Sequence, residues 1–171
     1  MILSFELAAQ SPNPAATVTA LAKAAGSQGV IAGQILDLAS EGQPADAETL
    51  DYIHLHKTAD LIRVSLELGA ICAIASKEDV AALCEFGECI GLAFQIIDDI
   101  LDVTADQEKL GKPVGSDQEL DKLTYVRVHG LDAARTKAHE LTEQADAALD
   151  KFSGETKTLR FIAAYLLNRD Y

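Results

Sequence analysis

Gln95-Ile96-Ile97-Asp98-Asp99-Ile100-Leu101-Asp102 puts three carboxylates in the middle of an otherwise apolar helical stretch. The run Ile90-Gly91-Leu92-Ala93-Phe94 precedes it, and Ile96, Ile97, Ile100 and Leu101 surround the acids. An unpaired carboxylate in such surroundings is expensive, so the cluster needs a cation or a polar cavity. On a helix Asp98 and Asp102 lie one turn apart, Asp99 is their neighbour, and Gln95 lies one turn earlier. The result is an all-oxygen patch that suits a hard divalent cation such as Mg2+ better than zinc. Mg2+ held by a few carboxylates keeps open positions that phosphate oxygens fill. The stretch therefore predicts a Mg2+-diphosphate site on the wall of a helical cavity. The bland alternative is a solvated Asp-Asp pair or a cap, but apolar flanks on both sides argue against it.

Outward from this stretch the chain reads as all-α. Ala and Leu abound, aromatics are 5% and Trp is absent, a composition that favours helices. The 171 residues suffice for one domain with a sizeable core, and residues 1–171 read as a single all-α domain. Ser11-Pro12-Asn13-Pro14 ends a first helical segment, a second runs from about 15 to 25, and a third from about Gly26 to Ser40. Helical spacing of Leu50, Ile53, Leu61, Ile62, Leu66 and Leu68 predicts a long helix over 48–75. A helix over 77–103, apolar round most of its circumference, is expected at the centre of a bundle. Gly111, Pro113 and Gly115 predict a loop over 104–116; helices follow at about 131–151 and 159–168. No strand alternation or repeat interrupts this pattern.

The net charge of −13 excludes non-specific nucleic-acid or anionic-membrane binding, and it requires that positive charge at a diphosphate site be supplied locally. No apolar run reaches the roughly 18 residues of a transmembrane helix, and no basic leader precedes the first apolar residues. Cys72, Cys84 and Cys89 form no CxxC pair and are expected as buried free thiols of a reducing compartment. A cytoplasmic location is the expectation, or a plastid if a transit segment has been lost.

Three further elements bear on the same site. Gln34 and Asp37 share a helix face, to line a cavity or position a lysine; a satisfied polar pair explains them equally. Lys57 and Thr58, in His54-Leu55-His56-Lys57-Thr58, both donate to phosphate in principle, against the alternative of a solvated face. His54 and His56, two apart, diverge and make a poor metal pair. The segment Leu110-Gly111-Lys112-Pro113-Val114-Gly115-Ser116-Asp117, followed by Asp121-Lys122, offers a lysine that swings over a diphosphate. It is not a P-loop.

Together GSQGVIAGQILDL (26–38), LDYIHLHKTADLI (50–62), GLAFQIIDDILDV (91–103), LGKPVGSD (110–117), DKLTY (121–125) and the terminal LLNRDY (166–171) resemble the C-terminal half of the trans-isoprenyl diphosphate synthase, or polyprenyl synthetase, family, and most of all its geranylgeranyl diphosphate synthase branch. The resemblance implies the central part of an isoprenoid-synthase helical bundle without its N-terminal helices. It implies that Asp98, Asp99 and Asp102 bind Mg2+ that bridges to an allylic diphosphate. It implies that Lys57 and Lys112 contact that diphosphate, and that Thr58 and Gln95 sit beside the reacting carbon. It implies that Asp117 and Lys122 belong to the substrate-site loop beyond Lys112, and that Gln34 and Asp37 line the cavity. The implied reaction ionises the allylic diphosphate, and isopentenyl diphosphate attacks the cation. No protein nucleophile is required.

The family's first aspartate-rich motif has no counterpart here: before Gly26 there is no Asp and only one basic residue, Lys23. The expectation is half a catalytic site, belonging to a truncated synthase, to a short subunit that works beside a complete synthase, or to an inactive relic. A homodimer or a heteromer with a complete subunit is expected. Two other readings are Mg2+-diphosphate binding without turnover and a class I terpene cyclase, which would need a second metal motif that is not present.

Overall fold

The computed structural model describes residues 1–44, 46–104 and 122–167. Among them there are helices and no strand: α1 (Ile2–Ala9), α2 (Pro14–Ala25), α3 (Val30–Ser40), α4 (Ala47–Ile53), a π-helical turn (His54–Ala59), α5 (Asp60–Cys72), α6 (Lys77–Thr104), α7 (Tyr125–His129), α8 (Leu131–Asp150) and α9 (Lys157–Leu167). Local chemistry sets many of the ends. Pro14 stands at the first turn of α2, where its missing N–H costs nothing, and the Asn13 side chain accepts from the Ala16 amide. Asp46 accepts from the Thr49 amide at 2.9 Å to start α4. Thr124 accepts from the Arg127 amide at 3.2 Å to start α7. Ser76 accepts from the Asp79 amide at 3.0 Å at the start of α6.

Helix α6 is the axis of the molecule. It packs against α5 and the π turn on one side and α8 on the other, and α7 and α9 also touch it. Ala82, Leu83, Phe86, Cys89, Ile90, Ala93 and Ile96 are buried along it. They meet Ala134, Ala138, Leu141, Ala145, Ala148 and Leu149 of α8. The α8 face is lined largely by alanine, so the two helices close on a seam of small side chains. A second small core of Leu50, Ile53 and Leu123, with Leu36, Tyr125 and Val128 against it, anchors the chain that leads into α7.

Four expectations need correction. The helix over 48–75 is helical from Ala47 to Cys72, but its middle is a π turn. No sequence signal marks that turn, because its residues are ordinary helix formers. Helix α6 is buried round less of its circumference than its apolar sequence implies: Ala81 is exposed, and Val80, Leu92, Phe94 and Ile97 are only half-buried. It is nevertheless long and apolar enough, by length and composition, to cross a membrane, which the count of uninterrupted apolar residues missed. Its packing against α5 and α8 is that of a core helix. Finally, of the three free cysteines only Cys89 is buried; Cys84 is half-buried and Cys72, at the C-terminal end of α5, is exposed. Burial pushes the thiols of Cys84 and Cys89 up from their ordinary value. The short helix α7 was not anticipated. Of the loop expected over 104–116, Thr104 ends α6 and residues 105–116 lie outside the described residues.

Candidate functional site

A small cleft opens where the π turn, α3, α6 and the approach to α7 meet. Asp37, Ile53, His54, Lys57, Gln95, Asp99, Lys122, Leu123 and Thr124 line it. Its volume is about 40 Å³, space for water but not for a diphosphate ester. It is therefore a preformed polar floor, and a larger ligand would lie against it.

The floor exists because backbones approach closely. A Cβ on Gly33 of α3 would strike the backbone of Lys57, and a Cβ on Gly91 of α6 would come within 2.5 Å of Ala59 Cα. Glycine at these two positions lets α3 and α6 press against opposite sides of the π turn. A π turn is rare and occurs frequently at functional sites.

Two polar chains cross the cleft. In the first, Lys57 Nζ donates to Asp37 Oδ2 at 2.6 Å, with Asp37 8% exposed and Lys57 30%. Asp37 is thus the partner that holds the lysine, and an ammonium with three hydrogens keeps donors for a further anion. In the second, the Thr58 hydroxyl donates to Gln95 Oε1 at 2.8 Å, and Gln95 Nε2 donates to Asp99 Oδ1 at 3.2 Å. Asp99 Oδ2 accepts from the Tyr125 amide at 2.7 Å and lies 3.3 Å from His54 Nε2. The Tyr125 ring stacks loosely on His54, with centroids 6.4 Å apart. Among the described residues no fully buried side-chain nitrogen or oxygen lacks a partner.

The structure thus brings together Lys57, Thr58, Gln95, Asp99 and Lys122. Gln34 is exposed on α3 and does not line the cleft, although Asp37 one turn later does. Asp98 is partly exposed, while Asp102 is buried. Lys112 and Asp117 lie outside the described residues. Sequence reasoning set His54 aside as half of a poor metal pair and missed it as the partner of Asp99. The signal available was a histidine one turn before Thr58 on a helix face already assigned to the site. The Tyr125 amide carried no signal at all, since a backbone donor is invisible in side-chain patterns.

Among the described residues no group of three His, Cys, Asp or Glu side chains converges as a metal cage. Of the three α6 carboxylates, Asp99 is engaged by Gln95, His54 and the Tyr125 amide, and Asp102 is buried. A donor set of one or two carboxylates still fits Mg2+, which keeps several waters and takes substrate phosphate oxygens in place of an all-protein cage. It does not fit zinc, which wants nitrogen and sulfur ligands.

A sequence profile of the polyprenyl synthetase family matches residues 1–160. The chain belongs to the polyprenyl synthetase family. It is 44% identical over 152 residues to the chloroplastic geranylgeranyl pyrophosphate synthase of Catharanthus roseus, covering 88% of this chain and 43% of that protein. It is 39% identical over 173 residues to the farnesyl diphosphate synthase of Haemophilus influenzae, covering 97% and 58%. Among solved structures, the geranyltransferase of Helicobacter pylori complexed with magnesium and isoprenyl diphosphate superposes with a TM-score of 0.78 at 34% identity, covering 98% of this chain and 56% of that one. The geranylgeranyl pyrophosphate synthetase of Pyrococcus horikoshii gives 0.82 at 26% identity, covering 91% and 59%. The chain spans about half the length of the curated relatives it matches. The all-α fold of this polyprenyl synthetase family member is therefore the helical fold of those synthases, over about half of their extent.

Proposed function

We propose that this chain supplies the allylic-diphosphate wall of a prenyl diphosphate synthase, serving head-to-tail condensation with isopentenyl diphosphate to products of the farnesyl or geranylgeranyl class. The observation that carries the reading is the convergence of Lys57, Gln95 and Lys122 on one cleft beside Asp99 of α6, with the Thr58 hydroxyl bonded to Gln95. Asp98, with Asp102 one turn on, is the part of α6 that would hold Mg2+. When bound, that ion neutralises charge on the departing diphosphate. The chain's own residues do the rest. Lys57, fixed by Asp37, offers a point charge to a terminal phosphate, and Lys122 lines the same cleft. Thr58 and Gln95 present oxygen dipoles toward the place where positive charge develops on carbon. The apolar side chains of α6 around the acids keep bulk water from a reactive cation. Lys112, if it acts, acts from the segment outside the described residues.

The partner reading follows from surface chemistry. Ile31, Ile35 and Leu38 of α3 are exposed, as are Met1, Ile2, Leu3 and Leu7 at the start of the chain. An apolar surface of this extent is expected against a second copy or a complete synthase subunit.

The test is a prenyltransferase assay with Mg2+, labelled isopentenyl diphosphate and farnesyl diphosphate, with and without a complete synthase. Turnover that depends on this chain, alone or with the partner, and that falls in Lys57→Ala and Asp98→Asn supports the reading. Turnover indifferent to both substitutions, or none under either condition together with no Mg2+-dependent diphosphate binding by calorimetry, overturns it.

A further inference from the structure

Asp99 is 3% exposed, and the protein engages both of its carboxylate oxygens: Oδ2 with the Tyr125 amide at 2.7 Å and His54 Nε2 at 3.3 Å, Oδ1 with Gln95 Nε2 at 3.2 Å. An ionised carboxylate only accepts hydrogen bonds, so each group facing it must present an N–H. For His54 this places a hydrogen on Nε2. For Gln95 it fixes which way the amide points. With Nε2 toward Asp99, Oε1 faces Thr58 and takes the Thr58 hydroxyl hydrogen at 2.8 Å. The Thr58 oxygen then has lone pairs and no hydrogen left to offer its surroundings. The direction of this chain is set at Asp99; reversal would aim the Gln95 carbonyl at a carboxylate.

We propose that Asp99 is a positioning residue rather than a metal ligand: held by His54 and the Tyr125 amide, it fixes the direction of the Gln95–Thr58 chain so that electron-rich oxygens, not hydrogens, face a cationic reacting carbon. The use made of those oxygens rests on the prenyl transfer reading; the clamp itself does not. The clamp also ties three elements together. It joins α6 to the π turn through His54 and to the start of α7 through the Tyr125 amide, so the lining of the cleft around Lys122 and Thr124 is set from the same carboxylate.

The experiment uses the whole chain, labelled with nitrogen-15, with no metal or diphosphate added. In Asp99→Asn the Gln95 side-chain amide resonances move, because an asparagine that both donates and accepts no longer dictates their direction. Hydrogen exchange at the Tyr125 amide speeds by about tenfold or more once its charged acceptor is gone. His54→Ala leaves the carboxylate intact but removes one of the groups that hold it, so both signals shift in the same direction and by less than in Asp99→Asn, and His54→Gln, whose amide N–H reaches toward the same oxygen, restores them. That pair keeps the test decisive if Asp99→Asn fails to fold. Mg2+ with inorganic diphosphate is then titrated into each protein. Unchanged Gln95 and Tyr125 signals in Asp99→Asn and His54→Ala, with diphosphate binding lost only in Asp99→Asn, would make Asp99 a ligand and overturn the proposal. If the signatures appear but the wild type does not bind Mg2+-diphosphate, the clamp stands and the prenyl transfer reading fails.

Discussion

Ile74 has φ +54°, in the left-handed region that a β-branched side chain adopts only under strain, and it is 82% exposed. It closes the turn between α5 and α6 and gains nothing from burial. Glycine enters this region without a Cβ clash, whereas an L side chain costs about 1–2 kcal/mol there. Ile74→Gly is therefore expected to stabilise the fold by about 1 kcal/mol, after some loss to unfolded-state entropy. Urea unfolding would register this as a higher midpoint at unchanged slope. At this scale the sequence was legible for side chains that pair with side chains. Lys57, Thr58 and Gln95 were found because their neighbours could be counted along a helix. The hold on the Asp99 carboxylate was not, because its shortest bond is to a backbone amide 26 positions away. The exposure of Gln34 was missed because a helix face says which residues align, not which way the helix turns.

Between elements, fit depends on glycines where helices touch. Gly91 lies against Ala59 of the π turn, and an added methyl would come within 2.5 Å of backbone. Backbone cannot swing aside as a side-chain end can, so Gly91→Ala is expected to cost about 1–3 kcal/mol by overpacking. Its larger helix propensity recovers under about 1 kcal/mol of that. Thermal unfolding checks the sign, and a parallel loss of Mg2+-diphosphate binding would place the displacement at the cleft. A second contact joins the start of α6 to the turn after α8. Asp79 accepts from the Ser153 amide at 2.8 Å, and the Ser76 and Ser153 hydroxyls also donate to it. The Ser153 amide first, then the Ser76 and Ser153 hydroxyls, hold its carboxyl below the ordinary value. A lowered native value means that the clasp contributes fully above the unfolded range of about 3.9 and fades as pH falls through the native one. The stability gap between the protein and Asp79→Asn should therefore be constant near neutrality and shrink in acid, by denaturant midpoints at several pH values. Helix boundaries were largely legible in Pro, Gly and capping residues. The π turn was not, since it changes hydrogen-bond register without changing composition.

For the whole molecule, the apolar side chains exposed among the described residues set the expectation of a partner. Exposed Phe161, Ile162 and Tyr165 on α9 join the apolar residues of α1 and α3. A chain of net charge −13 with such surface is expected to self-associate at high salt, where repulsion is screened, and less at low salt. Light scattering across a salt and concentration series measures this; a monomer throughout would contradict it. The all-α class and the family followed from ordered motifs spread over most of the chain.

The π turn has a meaning for chain length. Such a bulge carries one residue more than an α-helix of the same span needs. Deleting one residue, Leu55 for example, should let α4 run straight into α5 while Val64 and Ala70 keep their seats in the core. Folding would survive and Lys57 and Thr58 would lose their address. A loss of three nucleotides would then dismantle the cleft while leaving the core and every aspartate of α6 in place.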